Sequence, residues 1–414
     1  LKNIITYYYI AKPQKNKPFF ERKIKIMLFL PSDTEYIIET LQKNGYEAYA
    51  VGGCVRDMLN GTEPNDFDVT TSAAPEAVMS LFRKTVPTGI KHGTVTVIVN
   101  GIPNEVTTYR TDGEYLDHRR PDSVTFVKSL KEDLARRDFT VNAMAYNKTD
   151  GLKDFFGGQE DIKMRLLRAV GEPERRFCED ALRILRLFRF SSVLRFGIEK
   201  ATLCAAIKYA PTLKNVSAER IYSELLKAVC GKNPAALKPL TDAGGLDFLG
   251  LTASPDYGKL ALLKLPETKL FFFLYSGGAD IAKALDFLKV PSKTKNAAKK
   301  LSALLGLPFP KSKTEIKEML SLTSPADFAA YIDFCAACGK DCENALLLFN
   351  EVIENNEPYR VSHLKIGGDD LKEYGITGKA VGTVLEYLKK AVIKDPTFNT
   401  RKRLRKIISD KKER

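Results

Sequence analysis

The chain has 414 residues, of which 44% are hydrophobic and 28% are charged, a balance typical of a globular protein. This length exceeds what one hydrophobic core usually organises, so we expect roughly two to four structural units. No apolar run approaches the roughly 18 residues of a membrane-spanning helix, and the N-terminal region shows no secretory signal. The seven cysteines form no regular framework. This favours reduced thiols in a cytoplasmic protein without a membrane partner.

The net charge of +14 is concentrated at the two ends of the chain. Residues 1–26 and residues 394–414 each carry a net charge of +6. Phosphate contacts dominate the affinity of proteins for nucleic acids, so basic ends favour a polyanionic partner. The alternative is that the exposed lysines only keep the protein soluble.

The elements predicted from the sequence change character along the chain. Residues 1–26 do not resemble the rest and are assigned to a basic extension of unknown role. An amphipathic helix is predicted from Pro31 onward and ends at Gly45. Strands and short helices then alternate up to about residue 170. These are a strand in YEAYAVGG, a helix in CVRDMLNG, a strand in NDFDVTT, a helix in PEAVMSLF, a hairpin in GTVTVIVNGIPNEVTTYR that turns at Asn100-Gly101, and a strand in DSVTFV.

After Gly171 the strand pattern disappears, and successive amphipathic helices follow, broken by proline and glycine. We therefore predict an α/β head followed by an all-α region. The expected divisions of the chain are a head at 27–170, a helical neck at 171–245, a helical body at 246–355 and a basic helical tail at 356–414.

Asp66 and Asp68 are two residues apart in a strand-like sequence, so both carboxylates are expected on one face of that strand. Two such carboxylates can hold Mg²⁺, which prefers oxygen ligands and substrate phosphates. Glu105, on the return strand of the predicted hairpin, is the candidate for a third carboxylate. For an isolated pair of this kind, two solvated carboxylates beside a turn are the alternative.

Gly52 and Gly53 stand between a predicted strand and a predicted helix. There, backbone N–H groups can approach a triphosphate at the start of the helix. The segment is not a Walker loop, because no Gly-Lys-Ser/Thr follows. A Gly-Gly turn, a helix and then an acidic pair on the next strand form a more specific combination than any of the three alone.

The combined motifs resemble those of class II tRNA nucleotidyltransferases (CCA-adding enzymes) and bacterial poly(A) polymerases. The motifs that carry the resemblance occur in the order AVGGCVRDMLNG, NDFDVTT, EVTTYR, LARRDFTVNAMAYN, RRFCEDALRILRLFRFSS and SAERIYSELLK. It extends over nearly everything from Met27 onward. It implies a DNA-polymerase-β-like nucleotidyltransferase head of mixed sheet, followed by an all-α neck, body and tail.

The resemblance also implies an activity. This is the template-independent addition and repair of the 3′-terminal CCA of tRNA from CTP and ATP. The RNA 3′-hydroxyl would attack the α-phosphate and pyrophosphate would leave, with two Mg²⁺ ions held by Asp66 and Asp68 and with Glu105 as a third catalytic carboxylate. The helical body and basic tail would bind the acceptor and TΨC arms of tRNA.

Residues of the RRDFTVNA motif are implied to contact the nucleotide. Arg137, Asp138 and Asn142 would meet its ribose and phosphates, together with Arg56 and the Gly52–Gly53 turn. A ribose contact makes physical sense, because the 2′-hydroxyl distinguishes a ribonucleotide. Without the resemblance, a charged helix start with a capping Asp is the alternative.

Asp180 and Arg183 are three residues apart in a predicted helix and would face the same way. Asp offers acceptors and Arg offers donors, a pattern that matches the edges of cytosine and adenine but not those of uracil and guanine. The resemblance implies that this pair selects the base; an intrahelical ion pair is the alternative. Glu179 would support the pair, and Arg186 and Arg189 would meet phosphates or brace the helix.

Residues 111–121, TDGEYLDHRRP, correspond to the flexible loop of the family. Arg110, Asp112, Arg119 and Arg120 are its candidate functional residues. An intact loop favours full CCA synthesis over CC addition alone, and the plain sequence GIKHGTVTVIV argues against a poly(A) polymerase. The remaining alternatives are a poly(A) polymerase, a partial CC- or A-adding enzyme, and a non-catalytic RNA-binding protein.

Overall fold

The computed structural model describes residues 28–112 and 124–412, and the chain forms two units. The first unit runs up to Pro255 and also includes residues 277–279 and 287–289. The second unit comprises residues 256–276, 280–286 and 290–414. The predicted head and neck lie in the first unit and the predicted tail lies in the second, whereas the predicted body (246–355) is divided between the two. The finer boundaries stay predictions. Among the described residues, no helix is both long enough and apolar enough to cross a membrane.

A seven-stranded mixed sheet forms the centre of the head, in the order β3-β4-β5-β2-β1-β8-β9. Its strands are β1 (Ala48–Val51), β2 (Asp68–Thr71), β3 (Thr85–Gly89), β4 (Thr94–Val99), β5 (Ile102–Thr108), β8 (Met144–Asn147) and β9 (Gly151–Asp154), and a separate ribbon contains β6 (Arg110–Asp112) and β7 (Val124–Phe126). Strands β2 and β5 are parallel, whereas the other neighbours in the sheet are antiparallel. The α/β head is therefore confirmed.

The predicted hairpin turn is also confirmed. Strands β4 and β5 pair in antiparallel register up to Val99 and Ile102, and only Asn100 and Gly101 lie between them. Both residues have positive φ angles, 51° for Asn100 and 84° for Gly101. Asn-Gly adopts such a turn readily, and its twist matches that of the flanking strands.

Helices flank the sheet and then continue without it. In the first unit they are α1 (Ser32–Lys43), α2 (Gly53–Leu59), α3 (Pro75–Leu81), α4 (Leu130–Ala135), α5 (Gly158–Lys163), α6 (Pro173–Glu179), α7 (Leu182–Leu194), α8 (Lys200–Tyr209), α9 (Ala218–Val229) and α10 (Lys238–Asp242). Helix α4 packs on the sheet through Leu130 and Leu134, which join a buried cluster with Tyr49, Val51 and Tyr109. This cluster fixes α4 beside the strands that carry the predicted site.

The second unit is helical throughout the residues that the structure describes. Its helices are α11 (Tyr257–Leu262), α12 (Pro266–Ser276), α13 (Ile281–Phe287, whose last residue belongs to the first unit), α14 (Ser292–Leu305), α15 (Lys313–Leu322), α16 (Pro325–Ala337), α17 (Glu343–Glu354), α18 (Gly368–Lys372), α19 (Lys379–Lys394) and α20 (Arg401–Lys412). The last three helices share a core that includes Leu371, Leu388, Val392 and Leu404. The predicted change to an all-α region is confirmed.

Two details of the predicted secondary structure are wrong. The strand predicted for NDFDVTT begins at Asp68, because its partner β1 ends at Val51, opposite Asp68, and the chain then turns at Gly52. Asp66 therefore precedes the strand. Strand pairing also continues past Gly171, because β11 (Gly197–Ile198) pairs in parallel with β10 (Leu166–Leu167). Two-residue strands carry no periodic signal, which explains why the sequence does not reveal them.

Candidate active site

Three carboxylates gather at the end of the paired strands β2 and β5. Val69 pairs with Val106 across these strands, which places the preceding residues Asp68 and Glu105 side by side on the opposite face. Asp66, just before the strand, is close enough to repel Asp68 electrostatically. All three residues are exposed to solvent. The structure thus brings together the three carboxylates that the sequence singles out, even though Asp66 lies outside the strand.

The electrostatics of the cluster favour a cation. Partial burial of its carboxyl group, then the negative charges of Asp66 and Glu105, raise the pKa of Asp68 to about 6, while Arg137 opposes the shift. Divalent cations relieve such repulsion, and Mg²⁺ takes one or two carboxylates together with water and substrate phosphates. Within the described ranges, no three His, Cys, Asp or Glu side chains are arranged to hold a metal ion by themselves. The uncompensated negative charge around Asp68 fits a cation that takes further ligands from water and substrate.

The Gly52 turn lies against Arg137. Gly52 has a φ of 80°, a conformation that side chains rarely adopt, and a Cβ atom there would lie 3.1 Å from Nη1 of Arg137. Gly53 is the first residue of α2 and has no positive φ. Of the two positions, position 52 is therefore the one that requires glycine, because of its positive φ. The missing side chain also leaves room for the guanidinium of Arg137 beside the turn.

Asp138 and Asn142 belong to a buried polar chain. The Asn142 side chain donates to Asp138 at 3.1 Å and accepts from Nη1 of Arg56 at 2.7 Å. Arg56 also donates to both carboxylate oxygens of Asp57, at 2.8 and 2.9 Å. Burial by itself would raise the pKa of Asp138, but Arg186 and Asn142 lower it to about 2, so this carboxylate is ionised at neutral pH. The predicted nucleotide contacts are thus held in place by one another.

The helix predicted through Asp180 is wrong, because α6 ends at Glu179 and α7 begins at Leu182. Asp180 is extended, with a φ of −139°, and its Oδ1 accepts from the backbone N–H of Leu182 at 3.0 Å. Its Oδ2 accepts from Arg220 at 2.8 Å. By accepting from an N–H group in the first turn of α7, the Asp180 side chain favours the start of a new helix after residue 180.

Arg183 is held by Glu179 and by two backbone carbonyls. It donates to Glu179 at 2.7 Å, to the carbonyl of Arg176 at 3.2 Å and to that of Arg136 at 3.0 Å. Glu179 also forms ion pairs with Arg175 at 3.2 Å and with Arg176 at 3.0 Å. Glu179 thus contacts Arg183 directly, and the supporting role predicted for it stays a prediction.

Arg186 and Arg189 both pair with buried carboxylates. Arg186 lies 2.6 Å from Asp138, and Arg189 lies 2.5 Å from Glu224 in α9. The guanidinium of Arg189 also lies over the ring of Phe190, 3.9 Å from its centroid. These contacts connect α7 to its neighbours, and a role of Arg186 and Arg189 at phosphates or in bracing the helix stays a prediction.

The predicted loop is described only at its ends. Arg110 begins strand β6 and donates to the backbone carbonyl of His92, and Asp112 ends the same strand. Arg119 and Arg120, like the extension at 1–26, lie outside the described residues.

Two residues of α9 and one of α4 contact the candidate site residues without being singled out by the sequence patterns. Arg220 and Glu224 contact Asp180 and Arg189, respectively, and Asp133 accepts from Arg136 and Arg137. The segment SAERIYSELLK does carry a pattern that indicates Arg220 and Glu224. These two residues are four positions apart, on the side of the helix that its apolar residues bury.

Two family models match the first unit. The model described as "Poly A polymerase head domain" matches residues 48–168, and "Probable RNA and SrmB- binding site of polymerase A" matches residues 195–250. The first match covers the acidic cluster, the Gly52 turn and Asp138. Together with the mixed sheet, it places the first unit in the class of polymerase-β-like nucleotidyltransferases.

The relatives narrow this class. A CCA-adding enzyme of Geobacillus sp. (strain WCH70) is 38% identical over 381 residues, which cover 89% of this chain and 94% of that protein. The crystal structure of the Bacillus stearothermophilus CCA-adding enzyme in complex with CTP superposes on this chain with a TM-score of 0.81 and 33% sequence identity. The superposition covers 92% of this chain and 97% of that enzyme. The chain belongs to the family of CCA-adding enzymes.

Other alignments are shorter or more distant. The CCA-adding enzyme of Geobacillus thermodenitrificans is 52% identical to this chain over 210 residues. This alignment spans about half of each protein, 51% of this chain and 52% of the relative. The Thermotoga maritima CCA-adding enzyme complexed with tRNA is 21% identical with a TM-score of 0.65, a likeness of fold alone.

Proposed function

We propose that this protein adds and repairs the 3′-terminal CCA of tRNA from CTP and ATP without a nucleic-acid template. One observation carries the proposal. In a chain of the CCA-adding enzyme family, a single unit combines an exposed acidic cluster, a Gly52 turn lined by Arg137, and Asp180 and Arg183 at the start of one helix. These are the three parts that template-independent nucleotide transfer needs.

The acidic cluster is the proposed place of reaction. Asp66 and Asp68, with Glu105 beside them, would hold two Mg²⁺ ions, which when bound supply Lewis acids for the attacking 3′-hydroxyl and for the departing pyrophosphate. Arg137 would meet the triphosphate at the Gly52 turn through a charge-assisted hydrogen bond. The transfer breaks the bond between the α- and β-phosphates, and a new phosphodiester bond joins the nucleotide to the RNA.

Asp138 and Asn142 are the proposed contacts of the ribose. Asp138 is ionised and therefore accepts hydrogen bonds, whereas the Asn142 amide both donates and accepts. Arg56 uses its guanidinium on Asp57 and Asn142, which favours a positioning role over a direct phosphate contact.

Asp180 and Arg183 are the proposed readers of the base. Oδ1 of Asp180 accepts from the N–H of Leu182 at 3.0 Å and from Nη1 of Arg220 at 3.5 Å. Oδ2 accepts one described hydrogen bond, from Nη2 of Arg220 at 2.8 Å, and has a second lone pair for an amino group. Arg183 is oriented by Glu179 and two carbonyls. Cytosine and adenine both present an amino donor beside a ring acceptor, so one protein edge can accept both bases.

The acceptor and TΨC arms of tRNA are the proposed RNA partner. The second unit carries the basic segment 394–414, and phosphate contacts with such a segment give affinity without sequence preference.

The test uses a tRNA that lacks all three terminal nucleotides, incubated with labelled CTP, ATP or both. We expect two cytidines with CTP alone and a complete CCA end with both triphosphates. Products are resolved by gel electrophoresis at single-nucleotide resolution. A long A-tail would instead indicate a poly(A) polymerase, and products that stop at CC would indicate a partial enzyme. The Asp68→Ala variant is the control for a catalytic head: incorporation equal to that of the wild type would contradict the proposal.

A further inference from the structure

Asp133 is a fully buried carboxylate at the edge of the candidate active site. It lies in α4 with 0% of its surface exposed. It accepts from Arg136 through Nε at 3.0 Å and Nη2 at 2.8 Å, and from Nη2 of Arg137 at 3.3 Å. The hydroxyl of Thr70, at 3.2 Å, and the backbone N–H of Arg110, at 3.4 Å, complete its described contacts.

These contacts keep the carboxylate charged. Burial by itself would raise the pKa of Asp133, but Arg137 and Arg136 outweigh burial and lower the pKa below its ordinary value. A buried charge is tolerated only when it is paired and hydrogen-bonded, and here five donor groups supply that pairing. The carboxylate in turn holds Arg136 through two hydrogen bonds and Arg137 through one.

Arg137 connects this carboxylate to the proposed triphosphate site. Among the residues that the structure describes, Asp133 is the acceptor to which the Arg137 side chain donates, and it uses Nη2. Nη1, on the other edge of the guanidinium, is the atom that lies 3.1 Å from the Cβ position of Gly52. Because the guanidinium is planar, the hydrogen bond at Nη2 limits the directions in which Nη1 can point.

We propose that Asp133 is a positioning residue for Arg137: it holds the guanidinium against the Gly52 turn before the nucleotide arrives. The nucleotide then meets an ordered donor, and no flexible side chain has to be immobilised during binding. The inference rests on the proposed function, because it assigns Arg137 to the triphosphate. According to this inference, Asp133, which lies outside the RRDFTVNA motif, affects nucleotide affinity without touching the nucleotide.

Thr70 gives the same carboxylate a second attachment. Thr70 is two residues after Asp68 in β2 and therefore lies on the same face of the strand. Its bond to Asp133 ties α4 to the strand that carries the acidic cluster. Arg137 is consequently positioned relative to Asp68 as well as to the turn.

A double-mutant cycle tests this inference on the full-length protein. The variants Asp133→Asn, Arg137→Ala and the double variant are compared by equilibrium binding of CTP in Mg²⁺ buffer, and by KM and kcat for CTP with the CCA-lacking tRNA. We expect Asp133→Asn to weaken CTP binding and raise KM by about tenfold, with a smaller effect on kcat. In the Arg137→Ala background, Asp133→Asn should have no further effect, because the residue it positions is gone.

The Asp327→Asn variant is the control for destabilisation alone. Asp327 is also a paired carboxylate, bonded to Ser324, Thr323 and Lys300, but it lies in the second unit. Its loss should lower the unfolding temperature and leave CTP affinity unchanged. If Asp133→Asn does not fold, Asp133→Glu keeps the charge but moves it by one methylene, and it should weaken CTP binding without weakening tRNA binding.

Two results would overturn the inference. One is that the effects of Asp133→Asn and Arg137→Ala on CTP affinity multiply; the other is that Asp133→Asn, or Asp133→Glu in its place, leaves CTP affinity unchanged. Both leave the proposed function standing, provided that the wild type completes the CCA end. A wild type that adds no nucleotide would instead contradict the proposed function itself.

Discussion

At the scale of single residues, the carboxylates of the first unit fall into two groups. Asp133, Asp138 and Asp180 each accept from at least one arginine, and their negative charges are compensated within the protein. Asp68 instead faces the charges of Asp66 and Glu105, opposed only in part by Arg137. Uncompensated carboxylates that face one another destabilise the protein and are typical of sites that bind a cation.

The unusual pKa of Asp68 predicts a pH-dependent effect on stability. In the folded protein Asp68 keeps its proton up to about pH 6, whereas the unfolded chain releases it near 3.8. The ionised carboxylate therefore destabilises the folded state above about pH 6, and this cost disappears as the pH falls towards the unfolded value. We expect Asp68→Asn to stabilise the metal-free protein near pH 7.5 by about 1 kcal/mol or less, because solvent screens this exposed residue.

Thermal unfolding in the presence of a chelator, repeated over a series of pH values, measures this effect. The gain from Asp68→Asn should shrink steadily below about pH 6. A gain that is independent of pH would contradict the assigned cause, since it would not depend on the ionisation of Asp68.

Arg220 predicts an effect on base choice. It pairs with Asp180 at 2.8 Å and keeps the carboxylate in one orientation. We expect Arg220→Gln to lower kcat/KM for CTP several-fold and to raise UTP misincorporation relative to CTP, because a rotating carboxylate discriminates less between an amino group and a carbonyl. Single-nucleotide incorporation assays with each triphosphate measure both quantities.

Lys208→Gln is the matched control for this prediction. It removes a cation of the same region from an exposed pair with Glu174, where little stability or function is at stake. A similar loss of discrimination in both variants would show that Arg220 does not act through Asp180.

At the scale of elements, the site depends on the strand β5 having one buried and one exposed face. Glu105 faces the acidic cluster, whereas its neighbour Asn104 lies on the other face, where it is buried. Asn104 donates to Asp33 at 2.8 Å and accepts from Thr34 at 3.0 Å, both at the start of α1. Helix α1 thereby fixes the register of the strand that presents Glu105.

Asn104→Ala tests this attachment. The substitution leaves Asp33 and Thr34 buried without the amide that satisfies them, and we expect it to lower the free energy of unfolding by about 2–3 kcal/mol. Denaturant titration measures the change. Ser80→Ala is the control, because the exposed hydroxyl of Ser80 donates to the carbonyl of Ala77 in the preceding turn of its own helix. Equal stability of both variants would mean that α1 does not hold β5 through this network.

At the scale of the whole molecule, one of the two basic ends of the chain includes the helix α20 of the second unit. Lys402 and Lys406 are exposed and lie four residues apart on α20, so they share one face of that helix. Other basic residues of α20 are engaged within the protein, such as Arg405 with Asp370 and Glu373. The two lysines are therefore the better candidates for RNA phosphates.

The variant Lys402→Gln/Lys406→Gln should weaken tRNA binding and leave KM for CTP unchanged. Each lost phosphate contact lowers the slope of log K against log salt by about 0.9, so a change of about 2 is expected. Binding is measured over a range of salt concentrations. Lys163→Gln, on the exposed surface of α5 in the head, is the control; the same decrease in slope for that variant would contradict a specific role of α20.

The sequence by itself determined the class of this protein and most of its candidate site residues. The Asn100-Gly101 turn, the change from mixed elements to helices and the position of the acidic pair follow from local patterns, since backbone preferences and side-chain periodicity act over a few residues. The tertiary structure decided which charges meet. Asp180 pairs with Arg220, Arg189 with Glu224, and Asp133 holds Arg137 against Gly52. Most of these partners are distant in the sequence, and pairing at such distances depends on how the helices pack, which no local pattern specifies.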